Sequence, residues 1–312
     1  MNVGGEPKLN LISALAAHIF PHVIEIDVGR VAEGVSTFVY RICCDGETFF
    51  MRISPEEGAS FAPEVVTHTL LCQRGAKVPD VVYFSHYDEI VQRSVMITTA
   101  VAGQPLCLCD HRDIVQNVLE EAGHDLALVN GIAVNGFGWV RRDNDDTTRL
   151  RATWHNQRAF VFEHWEADLA YLTQVGLQQG ERDMVQRIVN HYGDWLDIPQ
   201  ATLAHGDFDT THIFYKDGHY TGIIDFGEIR GTGPRYDLGH FHLHEPLRTL
   251  PALLQGYGEV VTLPADIEAR ICFDSLLIAV RALAQSLQKR PPNRYSQHLL
   301  NRVREDVAIL SL

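Results

Sequence analysis

The sequence lacks any long hydrophobic run, because no stretch of about 18 or more consecutive apolar residues occurs in its 312 residues. A transmembrane helix is therefore not expected. The first twenty residues also lack the basic start and long apolar core of a secretory signal peptide. The chain contains no internal repeat and no low-complexity tract. These absences predict a cytoplasmic globular protein whose length fits one large domain or two closely packed ones.

Cysteine is scarce, and its spacing follows no regular framework. The chain has six cysteines, and the pairs Cys43–Cys44 and Cys107–Cys109 match no zinc-binding spacing. The pattern predicts reduced thiols rather than disulfides or a cysteine-based metal site.

Positive charge is also in short supply: 26 Lys and Arg stand against 40 Asp and Glu, for a formal net charge of −14. Binding to nucleic-acid phosphates needs clustered cations, so a nucleic-acid partner is not expected. Acidic clefts concentrate cations, which favours a neutral or cationic small substrate. An acidic surface that only keeps the protein soluble would give the same excess of Asp and Glu over Lys and Arg.

The periodicity of apolar residues predicts an α+β protein with two parts. Residues 1–100 contain strand-like runs rich in β-branched and aromatic residues, a short helix near 10–20 and a main helix at 61–75 that carries an early proline. They predict an antiparallel sheet with one main helix. Residues 101–312 carry mostly helical periodicity, over 112–130, 158–175, 180–196, 236–249 and 264–289, with a final helix near 300. Gly103 and Pro105 suit a linker between the parts.

One segment in the second part concentrates acids and histidines around a hairpin: HGDFDTTHIFYKDGHYTGIIDFG, residues 205–227. Asp-Gly between two apolar runs is a strong signal for a two-residue turn. In that register His212 faces Ile223, and Asp225 is a diagonal neighbour of His212 on the same face. Asp207, in the loop before the hairpin, then completes a cluster that predicts a divalent cation site. The alternative is a surface hairpin with solvated acids.

These residues resemble a known family. His205-Gly206-Asp207 followed by His212 is similar to the catalytic loop of protein-kinase-like phosphotransferases, and Asp225-Phe226-Gly227 is similar to their metal-binding element. The continuation GEIRGTGPRYDLGHF resembles the aminoglycoside phosphotransferase family, with hygromycin-type features in NGFGWV at 135–140. The resemblance implies a bilobal kinase-like fold, with residues 1–100 as the nucleotide-binding lobe and residues 101–312 as the catalytic and acceptor lobe.

In the second lobe, the resemblance implies Asp207 as the group that accepts the proton of a substrate hydroxyl, or orients that hydroxyl. It implies His212 and Asp225 as metal ligands, and Asp237 as the buried acid that hydrogen-bonds the catalytic loop. His212 stands where the family has Asn. Because Mg²⁺ prefers oxygen ligands, this departure leaves open a nitrogen ligand, an intervening water, or tolerance of Mn²⁺.

In the first lobe, the resemblance implies a nucleotide site for ATP or GTP. Gly34, Ser36 and Thr37 would form a phosphate-covering loop, and Arg52 would bind the α- and β-phosphates while Glu64 holds it. Backbone groups from Thr98 to Val101 would meet the adenine edge. An ordinary turn and a surface ion pair are the simpler interpretations of the loop and of Arg52–Glu64.

The substrate that would accept the phosphoryl group is the least determined part of the prediction. Glu163, Glu166 and Asp168 on one predicted helix, beside Trp165, suit a polyamine such as an aminoglycoside, or form a solvated helix face. Further acids lie near the catalytic segment at Asp209, Glu228 and Glu245. The alternating histidines of HFHLHE at 240–245 would share a face on a strand but scatter on a helix, which is the structure implied by the resemblance.

Three functions therefore stay open: an antibiotic kinase, a metabolic kinase acting on an amino alcohol, sugar or amino acid, and a nucleotide-binding pseudo-kinase sensor. Each would act without nucleic acid or membrane, as a monomer or homodimer.

Overall fold

A computed structural model describes residues 5–31, 37–143, 146–245 and 247–311. The N-terminal part begins with α1 (Leu9–Ile19) and forms an antiparallel sheet that carries α2 (Ala62–Gln73). The strands of this sheet are β1 (Ile26–Arg30), β2 (Phe38–Cys44), β3 (Glu47–Ile53), β4 (Val81–Asp88) and β5 (Arg93–Thr99). They lie side by side in the order β1-β2-β3-β5-β4.

Sequence signals explain the centre of this sheet. Asp45 and Gly46 both have positive φ, 47° and 91°, and form the two-residue turn that pairs Cys44 with Glu47. The buried side chains of β2 alternate with period two at Tyr40, Ile42 and Cys44, and pack with the apolar face of α1. Burying each such side chain contributes about 1.5–3 kcal/mol, so α1 and the sheet form one small core.

The C-terminal part is mainly helical. Its helices are α3 (Arg112–Asn130), α4 (Gln157–Val161), α5 (Trp165–Val175), α6 (Gln179–Tyr192), α7 (Tyr236–His244), α8 (Leu250–Val260), α9 (Ile267–Lys289) and α10 (Arg294–Leu310). The helix predicted over 158–175 is divided at residues 162–164. The helices predicted over 180–196 and 236–249 end at Tyr192 and His244, and short 3₁₀ turns cover Gly193–Leu196 and Leu247–Thr249.

Two small sheets lie among these helices. Their strands are β6 (Gln104–Pro105), β7 (Ala133–Val134), β8 (Phe137–Val140), β9 (Ala152–Trp154), β10 (Ala201–Ala204), β11 (Ile213–Lys216), β12 (His219–Ile223) and β13 (Arg230–Thr232). One sheet has the order β7-β10-β13-β8-β9, and the other has the order β12-β11-β6. Apart from the β11–β12 hairpin, these strands were not predicted, because two to four residues are too few to show a period.

A buried polar cluster joins three helices of this part. Asp306 on α10 accepts hydrogen bonds from His242 Nε2 on α7 at 2.9 Å and from Ser275 Oγ on α9 at 2.7 Å. Cys272 Sγ lies 3.7 Å from the same His242 nitrogen. Of the described residues, His242, Cys272 and Asp306 form the group whose spacing could suit a metal ion. The hydrogen bonds already occupy the carboxylate, so the cluster is explained as a structural link between the helices.

None of the helices in the described ranges is long and apolar enough to cross a membrane. All six cysteines lie in those ranges, and each is a free thiol.

Candidate active site

A buried carboxylate holds the loop that follows β10. Asp237, in the first turn of α7, accepts the backbone N–H of His205 at 2.8 Å and that of Gly206 at 2.9 Å. Its Oδ2 also accepts Asn130 Nδ2 at 2.8 Å, and the same amide nitrogen donates to Leu203 O. Asp237 is fully buried. Its carboxylate therefore fixes the backbone of the His205–Asp207 loop against α7 and the end of α3.

Gly206 lets this loop pass close to the chain after Asp225. Its φ is +90°, and a Cβ atom there would lie 1.9 Å from the carbonyl oxygen of Glu228. Both the dihedral and the lack of space require glycine.

We predict that Gly206→Ala lowers the free energy of unfolding by about 2–4 kcal/mol and abolishes turnover, because the loop must move away from Glu228. The matched control is Gly218→Ala in the hairpin turn, where φ is +83° and the nearest side-chain atom to an added Cβ is 3.8 Å away. That change has the dihedral cost alone, about 1 kcal/mol. Urea unfolding of both variants measures the difference, and equal destabilisation would contradict the close-contact argument.

The backbone of Asp207 is held more tightly than its side chain, and 45% of the side-chain surface is exposed. Its Oδ1 lies 3.4 Å from His240 Nε2, and its Oδ2 lies 4.0 Å from His212 Nε2. Each of these partners is an imidazole. The carboxylate therefore faces the adjoining cavity with at least one oxygen available to a substrate proton.

The hairpin register differs from the sequence prediction. Asp217 and Gly218 have positive φ, 52° and 83°, and pair Lys216 with His219 as expected. Past Tyr215 a bulge shifts the register by one residue, so Ile213 faces Ile223, and His212 O accepts the N–H of Ile224. The predicted pairing of His212 with Ile223, and the diagonal placement of Asp225, are therefore wrong.

The bulge leaves Thr221 without a partner on β11, and Gly222 follows it. Its φ is +151°, and a Cβ atom there would lie 2.6 Å from Lys77 O, which accepts the N–H of the next residue, Ile223. The strand thus bends to pair with the segment after α2 as well as with β11. The sequence signal was available in Thr-Gly within the strand, since an isolated strand glycine often marks a bulge.

His212 is oriented by the loop before it. Its Nδ1 lies 2.7 Å from the carbonyl oxygen of Asp207. A carbonyl only accepts, so in the neutral form of the ring Nδ1 carries the proton and Nε2 keeps its lone pair. Metal-binding histidines commonly have this arrangement, in which the second ring nitrogen is fixed by a backbone carbonyl. Among the described residues, Asp207, His212 and Asp225 do not form a group whose ligand atoms have metal-binding spacing, so the role of His212 as a metal ligand stays a prediction.

Asp225 comes directly after the hairpin in a left-handed conformation, with φ of 62°. Its Oδ1 accepts the N–H of Gly227 and lies 3.6 Å from Arg52 Nη2. Burial by itself raises the pKa of Asp225, but Arg52 and then His212 outweigh it, so the pKa lies below its usual value. The half-exposed carboxylate is therefore ionised at neutral pH, as a metal ligand must be.

Arg52 on β3 and Glu64 on α2 form an ion pair, as the resemblance implied. Glu64 is fully buried and accepts from Arg52 Nη1 through Oε2 and from Arg142 Nη1 through Oε1, the latter at 2.5 Å. Arg142 also donates to Gly227 O at 2.7 Å. Sequence reasoning missed Arg142, and the only signal was two adjacent arginines after β8. Through it, one buried carboxylate connects the sheet to the segment that carries Asp225.

We predict that Arg52→Ala weakens nucleotide binding by about tenfold to a hundredfold, because it removes a charge-assisted contact and leaves Glu64 with one partner. Isothermal titration with ATP and Mg²⁺ measures the loss. Arg41→Ala is the matched control, since Arg41 on β2 pairs with Asp27 at the surface and its loss should leave affinity within about twofold. Equal affinities for the three proteins would contradict the assignment of Arg52 to the phosphates.

The remaining nucleotide-site predictions are located as follows. Gly34 and Ser36 lie outside the described residues, and Thr37 is a partly buried residue just before β2. Thr98 lies inside β5, paired with Phe50 on one side and Val81 on the other. Val101 follows the strand end, where Thr99 N and Ala100 N are already bonded to Asp80 O and Thr48 O. The binding roles of these residues stay predictions.

A cavity of about 460 Å³ opens beside Asp207. The acids on its wall are Glu163, Asp207, Asp225, Glu228 and Asp274, and the cations are Arg230 and Arg281. Apolar and aromatic side chains from four helices and from β8 complete it, among them Trp139, Phe160, Tyr236, Leu277 and Tyr295.

The predicted acceptor acids separate into two groups. Glu163 and Glu228 line the cavity, whereas Glu166 and Asp168 do not. Asp168 is buried and bonded to Arg281, and Glu245 is bonded to the N–H and hydroxyl of Thr210. The helix α5 begins only at Trp165, so the break after α4 turns Glu163 toward the cavity and the next two acids away from it.

One cavity feature, Arg230, was not predicted from the sequence. Arg230 lies between two aromatic rings, 3.9 Å from the Trp139 centroid and 4.9 Å from the Tyr236 centroid, and donates to Tyr236 Oη at 2.6 Å. HFHLHE is helical, as the resemblance implied, and so scatters its histidines. His240 and His244 line the cavity, and His242 faces Asp306.

Comparison with known families decides the class. Residues 27–270 match the model of the phosphotransferase enzyme family, APH. The chain belongs to this family. The prediction of an enzyme that transfers phosphoryl groups is thereby confirmed. The search among curated proteins gave no match.

Solved structures similar to this phosphotransferase are themselves kinase-like. Aminoglycoside phosphotransferase APH(4)-Ia is 17% identical, with a TM-score of 0.69 over 98% of this chain and 100% of that one. APH(2″)-IIIa with GDP and kanamycin is 18% identical, with a TM-score of 0.65 over 97% and 99%. A protein assigned as a fructosamine-3-kinase from Thermobifida fusca is 19% identical, with a TM-score of 0.62 over 95% and 99%. At these identities the likeness shows the fold, and it confirms the predicted bilobal kinase-like α+β class.

Proposed function

We propose that this phosphotransferase moves the γ-phosphate of ATP or GTP to a hydroxyl group of a small molecule, of the aminoglycoside type. The observation that carries the proposal is the position of Asp207: its half-exposed carboxylate lies on the wall of the cavity, on a loop fixed by Asp237. A hydroxyl bound in the cavity would reach this carboxylate directly.

The nucleotide would lie between residues 1–100 and 101–312. Arg52 and Asp225, whose side chains are 3.6 Å apart, mark the place where the two parts meet. Arg52 would neutralise the α- and β-phosphates, and the backbone near Val101 would meet the base. The similar structures include complexes of APH(4)-Ia with ADP or AMP-PNP and of APH(2″)-IIIa with GDP, which supports a nucleotide in this family without choosing between ATP and GTP.

A divalent cation would be held by Asp225 and His212 Nε2. Such an ion, when bound, neutralises charge that develops on the β- and γ-phosphates. A nitrogen ligand in place of an oxygen favours Mn²⁺ relative to Mg²⁺, so we propose that both ions support the reaction. The residues themselves supply the rest: Asp207 accepts the hydroxyl proton, and Arg52, held by Glu64, positions the phosphates.

An aminoglycoside acceptor is supported by the unpaired part of the acidic wall. Of the residues that the structure describes, His164 lies 3.5 Å from Glu163, and the ionisable side chains beside Asp207 are the imidazoles of His240 and His212. Ammonium groups of an aminoglycoside would pair with these carboxylates, and its sugar rings would lie against Trp139 and Tyr295. Hygromycin B and kanamycin are the antibiotics in the complexes of the similar structures.

A metabolic kinase is the second candidate, and the charge of the cavity favours it. Three of the five wall acids already have arginine partners, since Asp274 pairs with Arg235 at 3.0 Å, Glu228 pairs with Arg230 at 3.2 Å and Asp225 pairs with Arg52 at 3.6 Å. The net negative charge left for a polyamine is therefore small, which suits a sugar or amino alcohol with one amine.

An acceptor screen tests both candidates. ATP or GTP consumption would be measured with hygromycin B, kanamycin, choline-like alcohols, sugars and sugar amines, each with Mg²⁺ and with Mn²⁺. Stimulation by an aminoglycoside that Glu163→Gln weakens through KM supports the first candidate. Stimulation by a sugar or amino alcohol alone supports the second. Nucleotide binding without stimulation by any acceptor, and without slow hydrolysis, would contradict the proposed function.

A further inference from the structure

Trp139 is a half-exposed indole on the wall of the cavity. It lies on β8, and 48% of its surface is exposed. Its cross-strand partner on β13 is Arg230, and directly opposite residues of an antiparallel pair place their side chains on the same face. The central carbon of the Arg230 guanidinium lies 3.9 Å from the indole centroid. Because carbon atoms in van der Waals contact are themselves about 3.5–4.0 Å apart, the guanidinium covers one face of the ring.

Arg230 is held in this position through each of its three side-chain nitrogens. Nη1 donates to Tyr236 Oη at 2.6 Å, Nε donates to Glu228 O at 3.1 Å, and Nη2 donates to Glu228 Oε2 at 3.2 Å. Its side chain is 11% exposed. The planar guanidinium is therefore a rigid support for the indole, because it cannot leave the ring without breaking these hydrogen bonds.

The uncovered part of the indole offers two kinds of contact to a ligand. Its ring is an apolar surface on which the C–H face of a sugar can pack. Its Nε1–H has no hydrogen-bond partner among the residues that the structure describes, so it can donate to a hydroxyl oxygen at the ring edge. This combination suits a neutral, hydroxylated ring.

The cation behind the indole disfavours a second cation in front of it. An aromatic face attracts ammonium groups through the negative charge of its π-system, and in Trp139 that attraction is already used by Arg230. An ammonium on the opposite face would also be repelled by the guanidinium across the ring. The carboxylate of Glu228, bonded to Arg230, weakens this repulsion, so we expect a discrimination of about threefold to tenfold.

We propose that Arg230 is a positioning residue that sets acceptor specificity: it holds Trp139 as a platform for a neutral sugar ring of the acceptor and directs the ammonium groups of the acceptor away from that ring. The inference rests on the proposed function, in which the cavity holds the acceptor beside Asp207. The amines of such an acceptor would lie against Glu163, between α4 and α5. A ring on the platform and an amine at the carboxylate together fix the orientation of the acceptor.

The first test measures binding without turnover. NMR of the whole protein with AMP-PNP bound follows the indole N–H signal of Trp139, which Trp139→Phe assigns. Methyl α-glucoside is the neutral ring, and spermine is a polyamine without a ring. We expect the sugar to shift the Trp139 signal in a saturable way and spermine to leave it in place. A spermine shift as large as that of the sugar, or no shift with the sugar, would overturn the proposal.

The second test separates the charge of Arg230 from its planar shape. Arg230→Met removes the charge, so binding of spermine at Trp139 should strengthen by about threefold to tenfold. It also removes the hydrogen-bonded support, so sugar binding should weaken by about twofold to tenfold. Arg230→Lys keeps the charge without the planar group, so sugar binding should weaken while spermine stays excluded. An arginine with a structural role alone would change both affinities in the same direction, and that result refutes the proposal.

Kinetic constants extend the test to the reaction. With an acceptor identified by the screen, Arg230→Lys should raise the KM for that acceptor and leave kcat within about twofold, because the platform binds the ground state and the transition state alike. Thermal unfolding shows whether each variant is folded. If Arg230→Met does not fold, Arg230→Lys decides the question: sugar affinity equal to that of the wild type would refute the platform.

The control is Arg270→Gln. Arg270 on α9 also lies over an indole, 4.6 Å from the centroid of Trp195, and it bonds to Asp266 at 2.8 Å, but neither Arg270 nor Trp195 lines the cavity. Both affinities should match the wild type. Expected NMR shifts without turnover of any acceptor would refute the proposed function and keep the platform as a sugar site. Turnover with the same KM in the wild type and Arg230→Lys would refute the platform alone.

Discussion

Asp207→Asn is expected to lower kcat by at least about a thousandfold while nucleotide affinity stays within about twofold of the wild type. The amide cannot accept the hydroxyl proton, and loss of a general base alone accounts for about 10²–10⁴ in rate. The shape of the side chain and the backbone bonds of the loop to Asp237 are unchanged. Single-turnover kinetics would measure the chemical step, and isothermal titration would measure ATP binding.

The matched control is Asp217→Asn, in the exposed turn of the hairpin, where φ is 52° and asparagine tolerates the left-handed conformation. This variant should have wild-type kinetics. Asp225→Asn provides the contrast, because removal of a charge beside Arg52 and His212 should weaken binding of the metal–nucleotide complex as well as turnover. If Asp207→Asn turned over at the wild-type rate, the carboxylate would not be the base.

Asp237→Asn is expected to lower the free energy of unfolding by about 3–5 kcal/mol and to abolish turnover. The carboxylate accepts from His205 N, Gly206 N and Asn130 Nδ2 through its two oxygens. An amide has one oxygen, so its NH₂ group must face at least one buried N–H donor, which then stays unsatisfied. Urea unfolding gives the stability, and a steady-state assay at saturating ATP gives the turnover of the folded fraction.

Asp306→Asn separates stability from catalysis. Asp306 is also fully buried, but its partners are His242 and Ser275, far along the chain from the catalytic loop. This variant should be destabilised by about 1–3 kcal/mol, and the protein that remains folded should turn over normally. If both variants lost stability yet kept turnover, Asp237 would not be what positions the loop that carries Asp207.

The sequence was a reliable guide where a feature depends on neighbouring residues. Asp-Gly predicts the two-residue turns at 45–46 and 217–218, since their positive φ is a local property. The run from Asp207 to Asp237 was sufficient to identify the family, because its motif combines several residues at fixed spacing. The Arg52–Glu64 pair followed from the same resemblance, and it is found in the structure.

The sequence alone gave a wrong prediction where one extra residue shifts the pairing of the two hairpin strands. The bulge at Gly222 arises because Ile223 also bonds to Lys77 O, a partner 146 positions earlier in the chain. No pattern within the hairpin carries that information. Arg142 was missed for the same reason, since its contacts with Glu64 and Gly227 join segments that are distant in sequence.

By itself, then, the sequence determined the class of protein, the segment predicted to be catalytic and the buried acid that holds this segment. Only the tertiary structure decided which acids line the cavity: the break between α4 and α5 places Glu163 on its wall and leaves Asp168 buried against Arg281. It also brought His240 to Asp207, across 33 residues. The physical reason is that side-chain direction depends on where each helix begins and on what packs against it, and these depend on the whole fold.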